Sequence, residues 1–243
     1  MIIGLTGVIA MRYKPQKKLL GFANYKMQKS IKFGYASAIL HLAPYNLSGV
    51  NVCPMASKGC AAACLNTAGR GQMNCVQKSR INKTRYFLRD RVKFLLHLDR
   101  EIKTYYKKAI KDGLKLNIRL NGTSDLPFER YKLPNGKNIM ENNPGVIFHD
   151  YTKIKNRCDQ VLPKNYKLTF SRSESNQNEV EDLVKTKTNI AVVFNKLPKK
   201  YLGRRVIDGD ISDLRFKDRK GVIVGLLAKG KAKKDPSGFT VKL

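Results

Sequence analysis

A chain of 243 residues, 42% hydrophobic and 9% aromatic, carries enough apolar material to bury a core, which excludes a disordered chain and fits one large domain. Forty-eight Lys and Arg stand against 18 Asp and Glu, a formal net charge of +30. Cations in that excess repel one another unless a polyanion neutralises them, so nucleic acid is the expected partner, ahead of a membrane surface or of charge that merely aids solubility.

The opening MIIGLTGVIA is apolar over only ten residues, with no basic region before it and no small-residue cleavage site after it, and reads as neither signal peptide nor membrane span. Together with an odd count of five cysteines this points to a reducing cytoplasm, where clustered thiols bind metal more often than they cross-link. Residues 1–34 mix apolar residues with Lys14, Lys17, Lys18, Lys26, Lys29 and Lys32, as an arm tracking a phosphate backbone or a solvated layer would. Residues 35–243 contain no repeat, low-complexity tract or linker and read as a single α/β domain.

YASAILHL, residues 35–42, is the expected first strand, stopped before Pro44, and the cysteine-rich loop follows its C-terminal end. Residues 76–112 place Ile81, Phe87, Leu88, Leu95, Leu98, Ile102 and Ala109 at spacings of three and four, which predicts a long basic amphipathic helix or two abutting ones, stopped by Gly113. On its polar side Arg80, Lys83, Arg85, Arg89 and Lys93, joined by Arg119, are candidate nucleic-acid contacts. Beyond Gly113 come short apolar runs, each followed by polar residues: LNIRL, GVIF, YKLTF, NIAVVF, RVI and GVIVGLL. Such runs predict parallel strands with crossovers, in a partial β/α barrel or an open, mostly parallel sheet.

In parallel β/α folds ligands sit beyond the C-terminal strand ends, so the residues after each run are the candidates. Cys53, Cys60 and Cys64, with Cys75 beyond them, are soft charged donors on a loop of small residues, suited to zinc or an iron–sulfur cluster; the chain has no paired CxxC knuckle. Three close cysteines would hold three irons of a four-iron cluster and leave one iron open. Asp125, Asp150, Asp208, Asp210 and Asp213 make a separate proposal, Mg²⁺ for phosphodiester cleavage, although Asp is equally a turn former. Tyr151 with Lys153 reads as an attacking phenol with a cation beside it, or as packing. Asn121 and Lys229 also stand at strand ends, as does His149, the one histidine of three so placed.

HLAPYNLSGVNVCP, CLNTAGRG, RLNGTSD, DYTK, LTFSRSESN, VIDGDISDLRF and GLLAKG together resemble the bacteriophage gene product 88 family, over roughly residues 30–240. That resemblance implies a phage or prophage setting inside the host cell. More distantly, a cysteine loop after a first strand is similar to radical S-adenosylmethionine enzymes, and the likeness implies cofactor contacts from Ser171, Ser173 and Asn176, with Arg119, Asp125 and Lys229 handling substrate. The spacing departs from their CxxxCxxC, and NGTSD stands where they carry a GGE-like motif. Three functions follow as expectations: a nucleic-acid-acting enzyme with a cysteine-held metal centre, a divalent-metal nuclease or nickase with structural zinc, and a zinc-stapled nucleic-acid-binding module without activity.

Overall fold

The computed structural model describes residues 12–21 and 29–243; the apolar opening and Lys26 lie outside the described residues. Ten strands among the described residues form one sheet: β1 (Leu20–Gly21), β2 (Tyr35–Leu40), β3 (Lys115–Arg119), β4 (Ile147–Thr152), β5 (Tyr166–Ser171), β6 (Ile190–Phe194), β7 (Lys200–Tyr201), β8 (Arg204–Asp208), β9 (Ile223–Leu227) and β10 (Thr240–Val241). Their order is β1-β2-β3-β4-β5-β6-β9-β8-β7, with β10 on β6. The sheet is open and mostly parallel, since only the short edge strands β1 and β7 pair antiparallel. All seven runs read as strands are strands here; β1, β7 and β10 have two residues each, too few to show a period of two. Because β1 precedes it, the cysteine segment follows the second strand and not the first.

The register shows how the faces are divided. Ala38, Ile118 and Phe148 stand level on adjacent strands, as do Thr152, Phe170, Ile190 and Ile223, all on one face. Against that face pack α2 (Asn74–Arg89), α3 (Arg91–Lys111) and α6 (Gln177–Val184); the other helices are α1 (Lys58–Ala62), α4 (Ile139–Asn142) and α5 (Lys155–Cys158). In α3 the buried residues Phe94, Leu95, Leu98, Ile102 and Ala109 follow helical spacing, and each large one contributes roughly 1.5–3 kcal/mol by leaving water. Asp90 leaves helical geometry, at φ −129 and ψ 60, so of the two expected forms the chain takes the pair of abutting helices. Gly113, at φ +69, closes α3 where a side chain would be strained.

The opposite face is polar. Ser37, Asn117, His149 and Thr169 are buried on it, Arg119 and Tyr151 half-buried, beneath a segment carrying Asp213, Arg215 and Phe216. At the C-terminal strand ends the sheet parts. Since β9 occupies one edge of β6 along its whole length, β10 takes the other edge at Val193 and Phe194, where β5, paired only at Ile190 and Ala191, has let go. This split brings the last residues of the chain beside the cysteine segment. Residues 12–21 also pack inward, with Leu19 and Leu20 in the core and Tyr13 stacked on Tyr86. No helix among the described residues is long and apolar enough to cross a membrane.

Candidate functional site

The cysteine segment is pinned over the strand ends by a carboxylate from the SRSESN turn. Ser57 caps α1, its hydroxyl accepting from the Cys60 N–H at 3.1 Å, and then donates to Glu174 Oε2 at 2.8 Å, while the Gly59 N–H donates to Glu174 Oε1 at 2.7 Å. Gly59 is required by this approach, for a Cβ there would lie 2.0 Å from Ser237 Oγ and 2.8 Å from Glu174 Oε1. Cys60 packs with Ala63, Ala228, Ala232, Phe239 and Val193, so the β9 end and the C-terminal segment form its floor. The Cys53 sulfur accepts from the Tyr45 N–H at 3.4 Å and faces the Thr123 carbonyl at 3.6 Å.

The three thiols lie within one another's electrostatic reach. Burial pushes Cys53 up to about 12; the Tyr45 N–H opposes this, and Cys64, Cys60 and Asp125 add to it. Cys64 is also raised, first by burial, with the Asn66 N–H opposing and Cys60 adding, while Arg80 and Lys153 pull it back. None of them is in a disulfide. Among the described residues no group of three or more His, Cys, Asp or Glu stands in an arrangement that could hold a metal ion, so the thiols would have to draw together to share one. The donor chemistry suits a soft cation, which would offset the mutual repulsion. Cys75 sits apart, exposed in the first turn of α2.

Beneath this segment lies a buried polar network that the sequence did not announce. Arg157, 1% exposed, donates from Nη1 to Asp125 Oδ1 at 2.7 Å, from Nε and Nη2 to Glu129 at 2.8 and 2.9 Å, and from Nη2 to Tyr166 at 3.0 Å. The Tyr166 hydroxyl donates to Asp150 Oδ2 at 3.0 Å, and Asp150 Oδ1 accepts from the Asn121 N–H at 2.7 Å. Asn121 also accepts from Ser124 and from the Leu126 N–H, which closes the NGTSD turn. Burial raises Asp150 to about 6 and also raises Asp125, in both cases against nearby cations and donors. Asn121 therefore meets Asp150, and Arg157 links Asp125 to Asp150 by way of the Tyr166 hydroxyl.

Lys153 donates from its backbone to Asp125 Oδ2 at 2.7 Å and from Nζ to Ser171 Oγ at 2.8 Å, with Nζ 5.7 Å from the Phe239 ring centroid. It does not serve Tyr151. That phenol is pushed up to about 12, chiefly by burial and against Arg215, and the Arg119 guanidinium lies 4.5 Å from its ring centroid. Burial makes ionising this phenol costlier, and its ring packs under the Arg119 guanidinium. Ser173 and Asn176 satisfy their own turn, the Ser173 N–H donating to Asn176 Oδ1 at 2.7 Å and Asn176 Nδ2 to the Ser171 carbonyl at 3.1 Å.

The aspartates of IDGDISD do not converge. Asp208 accepts from the Asp210 N–H at 2.7 Å, Asp210 pairs with Lys229 at 2.5 Å and accepts from the Leu227 N–H at 3.0 Å, and Asp213 turns to the polar face. There Asp213 Oδ2 lies 3.8 Å from Arg119 Nη1 and 4.0 Å from His149 Nε2, while His149 Nδ1 meets Asn117 Oδ1 at 2.9 Å. Burial lowers His149 to about 4 and keeps it neutral, with Asp213 opposing.

The helix cations divide into two groups. Arg80 donates to Asn66 Oδ1, Lys83 to the Leu19 carbonyl at 2.7 Å and Arg85 to the Arg12 carbonyl at 3.5 Å, whereas Arg89 and Lys93 are exposed. Arg80 and Lys83 thus face the body of the protein, beside His41, which burial and then Arg80, Arg119 and Lys83 push down to about 3. The residues that sequence reasoning passed over are Arg157, Glu129 and Tyr166. Each is ordinary in its local context, and only their shared burial marks them.

No curated protein and no solved structure matches the chain, so the likeness to radical S-adenosylmethionine enzymes gains nothing from relatives. The family model described as Gene product 88 matches residues 16–243, nearly the whole sequence. The chain belongs to the Gene product 88 family.

Proposed function

We propose that this protein binds nucleic acid and acts on it at the C-terminal strand ends, with Cys53, Cys60 and Cys64 holding a soft metal centre, zinc or an iron–sulfur cluster. One observation carries the reading: Ser57 and Gly59 are bonded to Glu174 after β5, Cys60 packs against the end of β9, and Arg80 of α2 donates to Asn66 two residues beyond Cys64, so thiols, basic helix and strand ends share one neighbourhood. The net charge of +30 supports a polyanionic partner, and Arg89 of α2 and Lys93 of α3 are exposed cations that its phosphates would meet. The sequential order from β2 to β6 supports the curled, partial-barrel version of the sheet. When bound, the metal would supply Lewis-acid or electron-transfer chemistry. The chain itself contributes positive potential, exclusion of water by Phe239 and the alanines around Cys60, and orientation of the segment through Glu174. Ser171, Ser173 and Asn176 are engaged with Lys153 or with one another and offer S-adenosylmethionine few free contacts. The dispersed aspartates lend the Mg²⁺ nuclease reading no comparable support.

Anaerobic purification followed by zinc, iron and sulfide analysis tests the metal. The expected result is a stoichiometric centre that is lost in Cys60→Ala and retained in Cys75→Ala; metal-free protein after anaerobic reconstitution would remove the centre from the reading. Binding to DNA and RNA across a salt series tests the partner, with log K expected to fall steeply and linearly with log salt.

A further inference from the structure

A cavity of about 250 Å³ opens between the β1–β2 edge and the start of α2, lined by Gly21, Ile39, His41, Cys75, Val76, Ser79, Arg80 and Lys83. Its apolar wall is Ile39, and its polar wall is cationic. Arg80 uses one Nη1 hydrogen on Asn66, and its buried Nε–H meets no hydrogen-bond partner, a costly state for a guanidinium N–H. Lys83 spends one ammonium hydrogen on the Leu19 carbonyl and has two more to give. Among the described residues no carboxylate lines the cavity. Cys75 and Val76 belong to the first turn of a 16-residue helix that has no side-chain cap, so N–H groups and the positive end of the helix dipole add to the same field.

From this geometry we infer that the cavity is a seat for one phosphate group, held by Arg80 and Lys83, with His41 on its wall. The volume admits a phosphate with part of a sugar and not a whole duplex, so the ligand enters as a chain end, a flipped-out backbone phosphate or a free phosphate. The inference deepens the nucleic-acid reading and rests on it only for the phosphate's source.

The test exploits Cys75, which is exposed and lines the cavity without being among the thiols proposed for the metal. Cys75→Asp sets a carboxylate at the mouth, where it also suits a helix N-terminus and so leaves folding intact; Cys75→Asn is the neutral control. Inorganic phosphate is titrated by calorimetry and by amide NMR of Cys75 and Val76. Saturable binding is expected in the native chain and in Cys75→Asn, weakened roughly tenfold or more in Cys75→Asp by like-charge repulsion. Short oligonucleotides with and without a 5′-phosphate then assign the source. A preference for the phosphorylated end names a terminus, equal binding names the backbone, and binding of inorganic phosphate alone names a free phosphate while removing the nucleic-acid reading. Phosphate that leaves the Cys75 and Val76 amides unmoved, or that binds Cys75→Asp as well as the native chain, overturns the inference, even where nucleic acid still binds elsewhere on the surface.

Discussion

The cysteine segment and the aspartate run of IDGDISD look alike in sequence, each a dense set of metal-ligand residue types after a strand, and both stand at the C-terminal ends of parallel strands, yet their side chains meet different partners. Cys53, Cys60 and Cys64 remain free and within reach of one another, held by α1, Glu174 and the C-terminal segment. Asp208, Asp210 and Asp213 are drawn apart, each to a backbone N–H or a nearby cation. In a chain with 48 Lys and Arg a carboxylate finds a cation almost wherever it lies, whereas a thiol has no such competing partner. Donor types that the rest of the protein cannot satisfy are the ones left available.

The largest expected effect concerns carboxylates that the fold has absorbed. Arg157→Met leaves Asp125 and Glu129 buried without their cation, and should cost about 3–5 kcal/mol in denaturant unfolding. Recovery of metal binding by the aspartates in that variant would break the contrast. Next in size, Glu174→Ala removes two charge-assisted bonds from the cysteine segment, at about 2 kcal/mol, and should reduce metal content without unfolding the sheet. Metal analysis beside a urea melt separates the two effects.

A pH series sharpens the same comparison through its buried groups. His41 and His149 fall from 6.5 to about 3 and about 4, so below pH 6.5 the unfolded chain takes up protons first and stability is lost on acidification. Asp150 rises from 3.8 to about 6, so there the folded chain takes the proton first and contributes stability as pH falls toward 4. Urea midpoints between pH 6.5 and 4 should accordingly drop less in His149→Gln and more in Asp150→Asn than in the native chain. The smallest effect belongs to the cation that pairs with the aspartate run, where Lys229→Ala should cost under about 1 kcal/mol, because the lysine is half exposed to water. A large loss of stability there would show that the run is not a set of surface turns.

The strand runs and the amphipathic helices were legible because apolar periodicity is local: YASAIL, LNIR and IAVVF are buried wherever they fold. Legible too were the cysteine cluster and the basic charge, which composition sets, and the family, which the motif series carries over roughly residues 30–240 and the family model matches over 16–243. The break at Asp90, the edge strands β1 and β7 and the wedge of β10 into β6 were not, since each depends on a partner distant in sequence. The same holds for the fate of every candidate side chain. Sequence alone determined which residue types stand at the strand ends; tertiary structure decided which of them are spent. Arg157 takes Asp125, Lys229 takes Asp210, Ser171 takes the Lys153 ammonium, and Arg80 keeps an unpaired N–H at the wall of a cavity. Ion pairs and hydrogen bonds form between groups that burial forces together, and that choice is made by the packing of the whole chain.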